Sequence, residues 1–319
     1  MKARKNSKPF YYLRAYSLLL WPKCILRRIR KKKLASARFS PEYDYLMERV
    51  NYYCKLEGTQ LPPNAPELGK HTISNKRGQS VYFFDSYEYT RYFPDRLQWF
   101  LKGGDVTTIP PHPTIVKSRP IKGDNANSVL LKMNKVRHFF FVEDTIPFEK
   151  KTAKALFRGY IHGKPNRQLF IEKFIDNPMC DVRDTAPHST NPKEWQAKNM
   201  SIAKHLDYRY IMALEGNDVA SNLKWIMSSN SIAVMPRPTY ETWYMEGKLI
   251  PNYHYIEIKP DFSDLIERLE YYNNHIDEAK EIIKNANKYA QQFRDKKRES
   301  LISLMVLEKY FKKTGQKID

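Results

Sequence analysis

Residues 208–228 read YRYIMALEGNDVASNLKWIMS, and this stretch decides how the chain is expected to fold. The run 208–214 is mostly apolar, as expected of a strand buried on both faces of a parallel sheet. Residues 215–218 (EGND) are typical of a turn, and residues 219–228 favour a helix. A strand, a tight turn and a helix in this order are the repeating step of an α/β fold.

The same alternation continues on both sides of this stretch. The predicted elements are a strand at 155–160, a helix at 166–175, strands at 231–235 and 253–258, a helix after Ser263, and a helix over 276–293. We expect a parallel sheet covered by helices on both faces, in which ligands bind at the carboxyl ends of the strands.

The N-terminal part of the chain is less regular. Its predicted elements are a helix within 41–57, a short apolar strand at 81–84, a helix over 87–101, and a second buried strand at 137–142. Proline-rich loops separate these segments.

The positive charge is concentrated in a leader. Residues 1–40 hold 13 Lys and Arg and no acid, whereas the other 279 residues carry 42 basic and 35 acidic groups. A nucleic-acid-binding function would therefore rest on net charge alone, and we do not expect one. The apolar stretch 16–21 is far shorter than the roughly 20 residues that span a bilayer. Tyr, Trp and Leu beside Lys and Arg favour an anionic membrane surface, and a solvated basic tail is the alternative.

Small and basic residues follow the strand at 208–214, where a helix start could hold an anion on its backbone N–H groups. The residues with which such a site could hold a diphosphate are Val219, Ala220, Ser221, Asn222 and Lys224. A well-capped helix without any ligand remains the alternative.

An arginine and a glycine end the strand at 155–160, and a second arginine follows. Arg158 and Arg167 could bind phosphate, because the planar guanidinium donates two parallel hydrogen bonds. The alternative is a structural ion pair with Glu172 or Asp176.

Two acids outside these motifs could take part in chemistry. Asp105 follows two glycines and could act as a general base, or could be an acid that stabilises a turn. Glu241 could accept hydrogen bonds from sugar hydroxyls, or could be a surface acid. The eight histidines and three cysteines show no metal-ligand spacing, so no metal site is expected.

These segments together resemble glycosyltransferase family 90. The resemblance is carried by FRGYIHGKPNRQLF (157–170) and by HLDYRYIMALEGNDVASNLKWIMSSNSIAVMPRPTYETWYMEGKLIPNYHYIEIKPDFSDL (205–265), and it extends over roughly 105–293. It implies an α/β fold of the GT-B type, in which two Rossmann-like domains face a cleft, together with inversion at the anomeric carbon. It also implies no metal or other cofactor, and a nucleotide-sugar donor, expected to be a UDP-sugar.

The resemblance also implies roles for individual residues. Arg158, Gly159, Arg167 and the loop 219–224 match the family's donor-binding segments, although eukaryotic members have an arginine where this chain has Asn222.

The resemblance also suggests a catalytic base for the transfer, and four acids are candidates for it. Asp105 matches the catalytic aspartate of the eukaryotic members loosely, and Asp124, Glu143 and Asp144 are the alternatives.

We expect a basic membrane-associating segment over 1–40 and an acceptor-side domain over 41–150. A donor domain is expected over 151–295, and a C-terminal helix over 296–319 is expected to pack back on the acceptor-side domain. We expect transfer of a sugar to a lipopolysaccharide or lipooligosaccharide core at the cytoplasmic face of the inner membrane. A non-catalytic, membrane-associated carbohydrate-binding protein of the same fold is the alternative.

Overall fold

A computed structural model of the chain describes residues 7–74 and 78–319. Within them the helices are α1 (Lys8–Ser17), α2 (Lys23–Ala37), α3 (Tyr43–Tyr53), α4 (Ser80–Thr90), α5 (Lys135–His138), α6 (Pro165–Phe174), α7 (Ile202–His205), α8 (Leu223–Ile226), α9 (Leu265–Asn274), α10 (Ile276–Gln291) and α11 (Lys296–Lys313). The strands are β1 (Phe100–Lys102), β2 (Thr114–Val116), β3 (Ser118–Pro120), β4 (Ser128–Leu130), β5 (Thr152–Gly159), β6 (Cys180–Asp184), β7 (Tyr208–Met212), β8 (Ile232–Met235), β9 (Tyr240–Thr242) and β10 (Ile256–Glu257).

The described residues form two compact units. The large-sheet unit comprises residues 138–238 and 246–294. The helical unit comprises the described residues up to 137, together with 239–245 and 295–319. The chain therefore crosses between the units several times.

The large-sheet unit is built on a parallel sheet with the strand order β10-β8-β7-β5-β6. Its core includes Phe157, Tyr210 and Val234, none of them more than 4% exposed, and apolar residues of α6, α9 and α10 pack against these strands. The parallel sheet predicted from the sequence is confirmed. The strands predicted at 155–160 and 208–214 are present with small shifts at their ends, whereas the strand predicted at 253–258 is reduced to the two residues of β10.

The helical unit contains a smaller parallel sheet with the order β1-β2-β4, and β3 pairs antiparallel with β9. Helix α11 lies against α2, α3 and α4, so helices make a large part of this unit's core. The strand predicted at 81–84 is wrong, because these residues lie in α4 with their side chains buried. The helix predicted over 87–101 is wrong in extent, because α4 ends at Thr90. The strand predicted at 137–142 is wrong in type, because the short helix α5 and irregular chain occupy these residues.

The described part of the basic leader is folded onto the helical unit. Leu26 and Arg30 of α2 are each 2% exposed, and the Arg30 guanidinium lies 2.7 Å from the Asp319 carboxylate. Lys23 likewise lies 2.6 Å from Asp95. Residues 1–6 of the predicted membrane segment lie outside the described residues. Within the described ranges, none of the helices has both the length and the hydrophobicity that crossing a bilayer requires.

Candidate functional site

The order of the large sheet identifies the edge at which a ligand is expected. In chain order the strands are arranged 2-1-3-4-5, so the connections from β5 and β7 leave toward opposite sides of the sheet. In open parallel sheets, ligands bind outside the carboxyl ends of the strands at such a switch point. The segments after Gly159 and after Met212 therefore flank the expected crevice.

Arg167 of α6 joins the two segments that flank this crevice. Its guanidinium donates to the backbone oxygens of Tyr160 at 3.0 Å, Leu214 at 2.7 Å and Glu215 at 3.1 Å. Tyr160 follows β5, and the other two acceptors follow β7. Arg167 thus positions both loops of the switch point, and any contact with a donor would be made by an already anchored side chain.

Gly216 allows Arg167 to lie this close to the backbone, and Gly159 leaves room for the Phe157 ring. A Cβ atom on Gly216 would meet Nη2 of Arg167 at 3.1 Å, and one on Gly159 would meet the Phe157 ring at 3.0 Å and Nη1 of Arg167 at 3.7 Å. Most Cβ contacts are longer than 3.4 Å, so a larger residue at 216 would displace the guanidinium. The arginine–glycine pattern of the sequence therefore has a packing reason at this edge.

Arg158 is held in an ion pair, though with an acid that sequence reasoning did not name. Its guanidinium lies 2.6 Å from Oδ1 of Asp181 and donates to the Asp181 backbone oxygen at 2.8 Å. The Tyr208 hydroxyl donates to Oδ2 of Asp181 at 2.7 Å. Burial raises the pKa of Asp181, but the hydrogen bonds from Tyr208 and Arg158 outweigh it and hold that pKa below the usual range. A phosphate contact by Arg158 stays a prediction.

The loop predicted to hold the diphosphate has a different local structure from the one expected. The helix predicted over 219–228 is wrong in extent, because α8 covers four residues and begins at Leu223. Val219 and Ala220 are buried, and Ser221 is half-buried. The backbone bends over 216–219 and turns at 221–222 before the four-residue α8 begins, so a helix dipole contributes little here.

Lys224 and Asn222 are both engaged within the large-sheet unit. The Lys224 side chain is fully buried, and its ammonium lies 2.5 Å from the carboxylate of Glu246, which is also buried. The Asn222 amide donates to the backbone oxygen of Met212 at 2.9 Å. Lys224 is therefore one partner of a buried ion pair inside the fold, and its predicted contact with a diphosphate stays a prediction.

Sequence reasoning missed Lys164, which stands at the start of α6 beside the same crevice. Helix α6 has ten residues and begins directly after the loop that follows β5. The Lys164 ammonium hydrogen-bonds the side chain of Asn217 in the loop after β7. A cation that precedes a helix N-terminus at a switch point can help to bind an anion. The sequence signal that could have identified Lys164 was a lysine just before the helix predicted at 166–175.

The carboxyl edge of the small sheet carries Asp105. Asp105 follows β1, Lys117 follows the adjacent strand β2, and the Lys117 ammonium lies 2.5 Å from Oδ1 of Asp105. Lys117 is buried, whereas the Asp105 side chain is 29% exposed. A Cβ on Gly103 would come within 2.9 Å of the Tyr82 ring, and Gly104 has a φ of 94°, so this turn requires glycine. The turn and the lysine present an oriented, accessible carboxylate.

The alternative bases are placed differently. The Asp144 side chain is 1% exposed, lies 2.8 Å from the Lys151 ammonium and accepts the Asn230 backbone N–H at 2.9 Å, so it is occupied in the fold. Glu143 is exposed. Both acids lie in the large-sheet unit, although they were predicted on the N-terminal side. Asp124 accepts the backbone N–H of Ala126 at 3.1 Å, as a turn aspartate does.

Glu241 lies in the helical unit, although the expected bounds place it in the donor domain. It is 2% exposed on β9, directly opposite Arg119 of β3, and Oε1 lies 2.7 Å from the Arg119 guanidinium. The Tyr52 hydroxyl donates to Oε2. Both carboxylate oxygens are therefore used inside the fold, and a contact with sugar hydroxyls stays a prediction.

The described residues thus bring Arg158, Gly159, Arg167 and the loop before Leu223 to one sheet edge. Asp105 and Glu241 lie in the other unit. Among residues 7–74 and 78–319, no group of three or more His, Cys, Asp or Glu is arranged to hold a metal ion. Metal independence itself stays a prediction for an assay.

Comparison with known proteins identifies the family of the chain. The model of the family described as Glycosyl transferase family 90 matches residues 129–317. O-glucosyltransferase LpsA of Dichelobacter nodosus is 40% identical over 304 residues, which cover 95% of this chain and 94% of that protein.

Eukaryotic relatives match over a shorter region. Protein O-glucosyltransferase 3 of Homo sapiens is 29% identical over 172 residues, covering 52% of this chain and 33% of that protein. Protein O-glucosyltransferase 2 of Danio rerio is 27% identical over 149 residues, covering 45% and 29%. The family model covers more than half of the chain, and the Dichelobacter nodosus relative matches it nearly end to end. The chain therefore belongs to glycosyltransferase family 90 and is a glycosyltransferase.

Proposed function

We propose that this glycosyltransferase moves a glucosyl residue from a nucleotide-sugar, UDP-glucose, to a hydroxyl of a lipopolysaccharide or lipooligosaccharide core. The observation that carries the proposal is the similarity to O-glucosyltransferase LpsA, which extends over nearly the full length of both chains. The more distant relatives are also named O-glucosyltransferases, which supports glucose as the sugar.

The proposed reaction inverts the anomeric carbon. Asp105 takes the proton of the acceptor hydroxyl while that oxygen attacks the sugar carbon, and the bond to the diphosphate breaks on the opposite side. The leaving diphosphate gains negative charge, which cations and backbone N–H groups stabilise. At the switch-point edge, Lys164, Arg167 and Arg158 contribute positive charge to this task from the positions in which Asn217, backbone oxygens and Asp181 hold them. In this proposal the large-sheet unit holds the donor and the fold is of the GT-B type.

The proposed acceptor is a glycolipid, so the enzyme must work where lipid meets water. Residues 1–40 supply 13 cations without an acid, and the described part of this leader displays exposed apolar side chains. We infer peripheral binding to the cytoplasmic face of the inner membrane, with basic residues near lipid phosphates.

The test is transfer with purified full-length protein. Radiolabelled UDP-glucose, UDP-galactose and UDP-N-acetylglucosamine are each offered with core glycolipid from a strain that lacks the terminal sugar. We expect incorporation from UDP-glucose, and a β-linked product because the donor is α-linked. Asp105→Asn is the matched inactive control. Incorporation from another donor would replace glucose in the proposal, and donor binding without any turnover would favour a carbohydrate-binding protein.

A further inference from the structure

A basic groove lies in the helical unit beside α2, and no residue proposed to act in transfer lines it. It encloses about 310 Å³ and is lined by Arg27, Arg28, Arg30, Lys31, Pro94, Arg96, Ile318 and Asp319. Five of these eight side chains are cations, and one is an acid. Such an excess of positive charge in a concave surface attracts and concentrates anions.

Part of this charge is already neutralised within the protein. Asp319 lies 2.7 Å from the Arg30 guanidinium and 3.4 Å from the Lys31 ammonium. Asp95, which does not line the groove, lies 3.6 Å from the Arg27 guanidinium. Arg30 is only 2% exposed, so the Arg30–Asp319 ion pair fixes the position of this part of the groove wall.

The remaining cations are available for a ligand. Within residues 7–74 and 78–319, no carboxylate lies within 4 Å of the charged nitrogens of Arg28 or Arg96, and both arginines are exposed. In the same described part of the chain, Nε of Arg27 is buried without a hydrogen-bond partner. Guanidinium groups match the geometry of phosphate oxygens, which they bind through two parallel hydrogen bonds.

Exposed apolar side chains precede the groove residues of α2 in the chain. Leu20 is 83% exposed, Trp21 55% and Ile25 46%. Ile25 and Arg28 lie three residues apart on α2, so they are neighbours on the helix surface. An apolar end next to a cluster of arginines fits the boundary between acyl chains and phosphates in a membrane, whereas a soluble phosphate compound has no use for the apolar end.

We propose that this groove binds the phosphate of an anionic membrane lipid, while Leu20 and Trp21 insert beside it at headgroup depth. The inference rests on the proposed function, in which the enzyme acts at a membrane surface, and it names a lipid phosphate as the group that the groove recognises. It predicts a defined site on α2, Arg96 and their neighbours, which differs from general attraction by a basic tail.

The experiment is sedimentation of the full-length protein with vesicles of phosphatidylcholine, or of equal parts phosphatidylcholine and phosphatidylglycerol. The test variant is Arg28→Gln with Arg96→Gln. The control is Lys33→Gln with Arg38→Gln, which also removes two positive charges, both from the leader, and neither residue lines the groove. A cation near an anionic surface contributes roughly fivefold in binding. One that also donates a charge-assisted hydrogen bond contributes more than about tenfold.

We therefore expect the test variant to lose about 100-fold or more in binding to the anionic vesicles, and the control to lose about 25-fold at most. Tryptophan fluorescence should shift to shorter wavelength on binding, and Trp21→Phe should remove most of that shift. Arg96 donates to the Lys317 backbone oxygen at 3.0 Å, so Arg28→Gln alone serves as the test if the double variant does not fold.

Three results would overturn the proposal. Equal losses in the test and control variants would mean general electrostatic attraction. Release from vesicles by inorganic phosphate at constant ionic strength, with no shift of Trp21, would assign the groove to a soluble phosphate. Retention of duplex DNA that the test variant loses, without vesicle binding, would assign it to nucleic acid. Transfer to detergent-dispersed acceptor is measured in parallel, so loss of lipid binding with intact transfer separates this inference from the proposed activity.

Discussion

Replacing Lys224 by alanine distinguishes a structural role from donor binding. Its ammonium lies 2.5 Å from the Glu246 carboxylate, and the two side chains are 0% and 1% exposed. Alanine would leave the Glu246 carboxylate buried without its cation. Breaking a buried ion pair from one side costs about 3–5 kcal/mol, because the remaining charge keeps its desolvation penalty.

A loss of this size is a large part of the stability of an ordinary domain, about 5–15 kcal/mol. We expect Lys224→Ala to lower the urea midpoint of unfolding strongly. The matched control is Lys224→Met with Glu246→Leu, which removes both charges at similar volume and should recover most of the loss. Chemical denaturation followed by circular dichroism measures both variants, and calorimetry with UDP measures nucleotide affinity.

The reasoning would be refuted by the opposite pattern. If Lys224→Ala unfolds at the wild-type urea concentration while its affinity for UDP falls about 10- to 100-fold, then Lys224 contacts the diphosphate. In that case the Glu246 pair would have to open when the donor binds.

Three further predictions concern the base, metal ions and pH. Asp105→Asn should reduce transfer by about 10²–10⁴-fold with UDP affinity unchanged, because an amide cannot take the proton; Asp124→Asn is the control, and the same loss there would mean that the base is misassigned. Transfer should persist in EDTA, and a loss that only Mg²⁺ or Mn²⁺ restores would contradict the predicted metal independence. Burial lowers the pKa of His71 to about 4, so the unfolded chain, with its ordinary value near 6.5, takes up a proton first as the pH falls. The contribution of His71 to the free energy of unfolding should therefore be complete above about pH 6.5 and decline by about 2–3 kcal/mol toward pH 4. Urea denaturation at several pH values measures this profile, and His71→Gln should flatten it; an unchanged profile would contradict the prediction.

The elements that could be predicted from the sequence are those whose signal is local. The runs at 155–160 and 208–214 are apolar because they form β5 and β7 in the middle of the parallel sheet. The run at 81–84 is equally apolar, yet it lies in a helix, because four buried residues in a row do not separate a strand from a helix buried on most sides.

The partners of the candidate site residues could not be predicted, because they are distant in the chain. Asp181 faces Arg158, Lys117 faces Asp105, and Glu246 faces Lys224 only after the sheets have formed. Sequence reasoning placed Arg158 and Gly159 at the end of a strand and Arg167 in the helix that follows, and the structure has them there. Their binding of a donor stays a prediction. Sequence reasoning could not tell which charges are already used by the fold, since that depends on tertiary packing.

The path of the chain through the helical unit has a consequence for synthesis on the ribosome. Helix α11 lies against α2, α3 and α4, although more than 200 residues separate it from them. The core of this unit therefore stays incomplete until α11 has emerged, whereas residues 138–294 can form the large sheet earlier. The first helices to be made are thus among the last to be covered. We expect them to need shielding by a chaperone, or by the membrane itself, while the nascent chain grows.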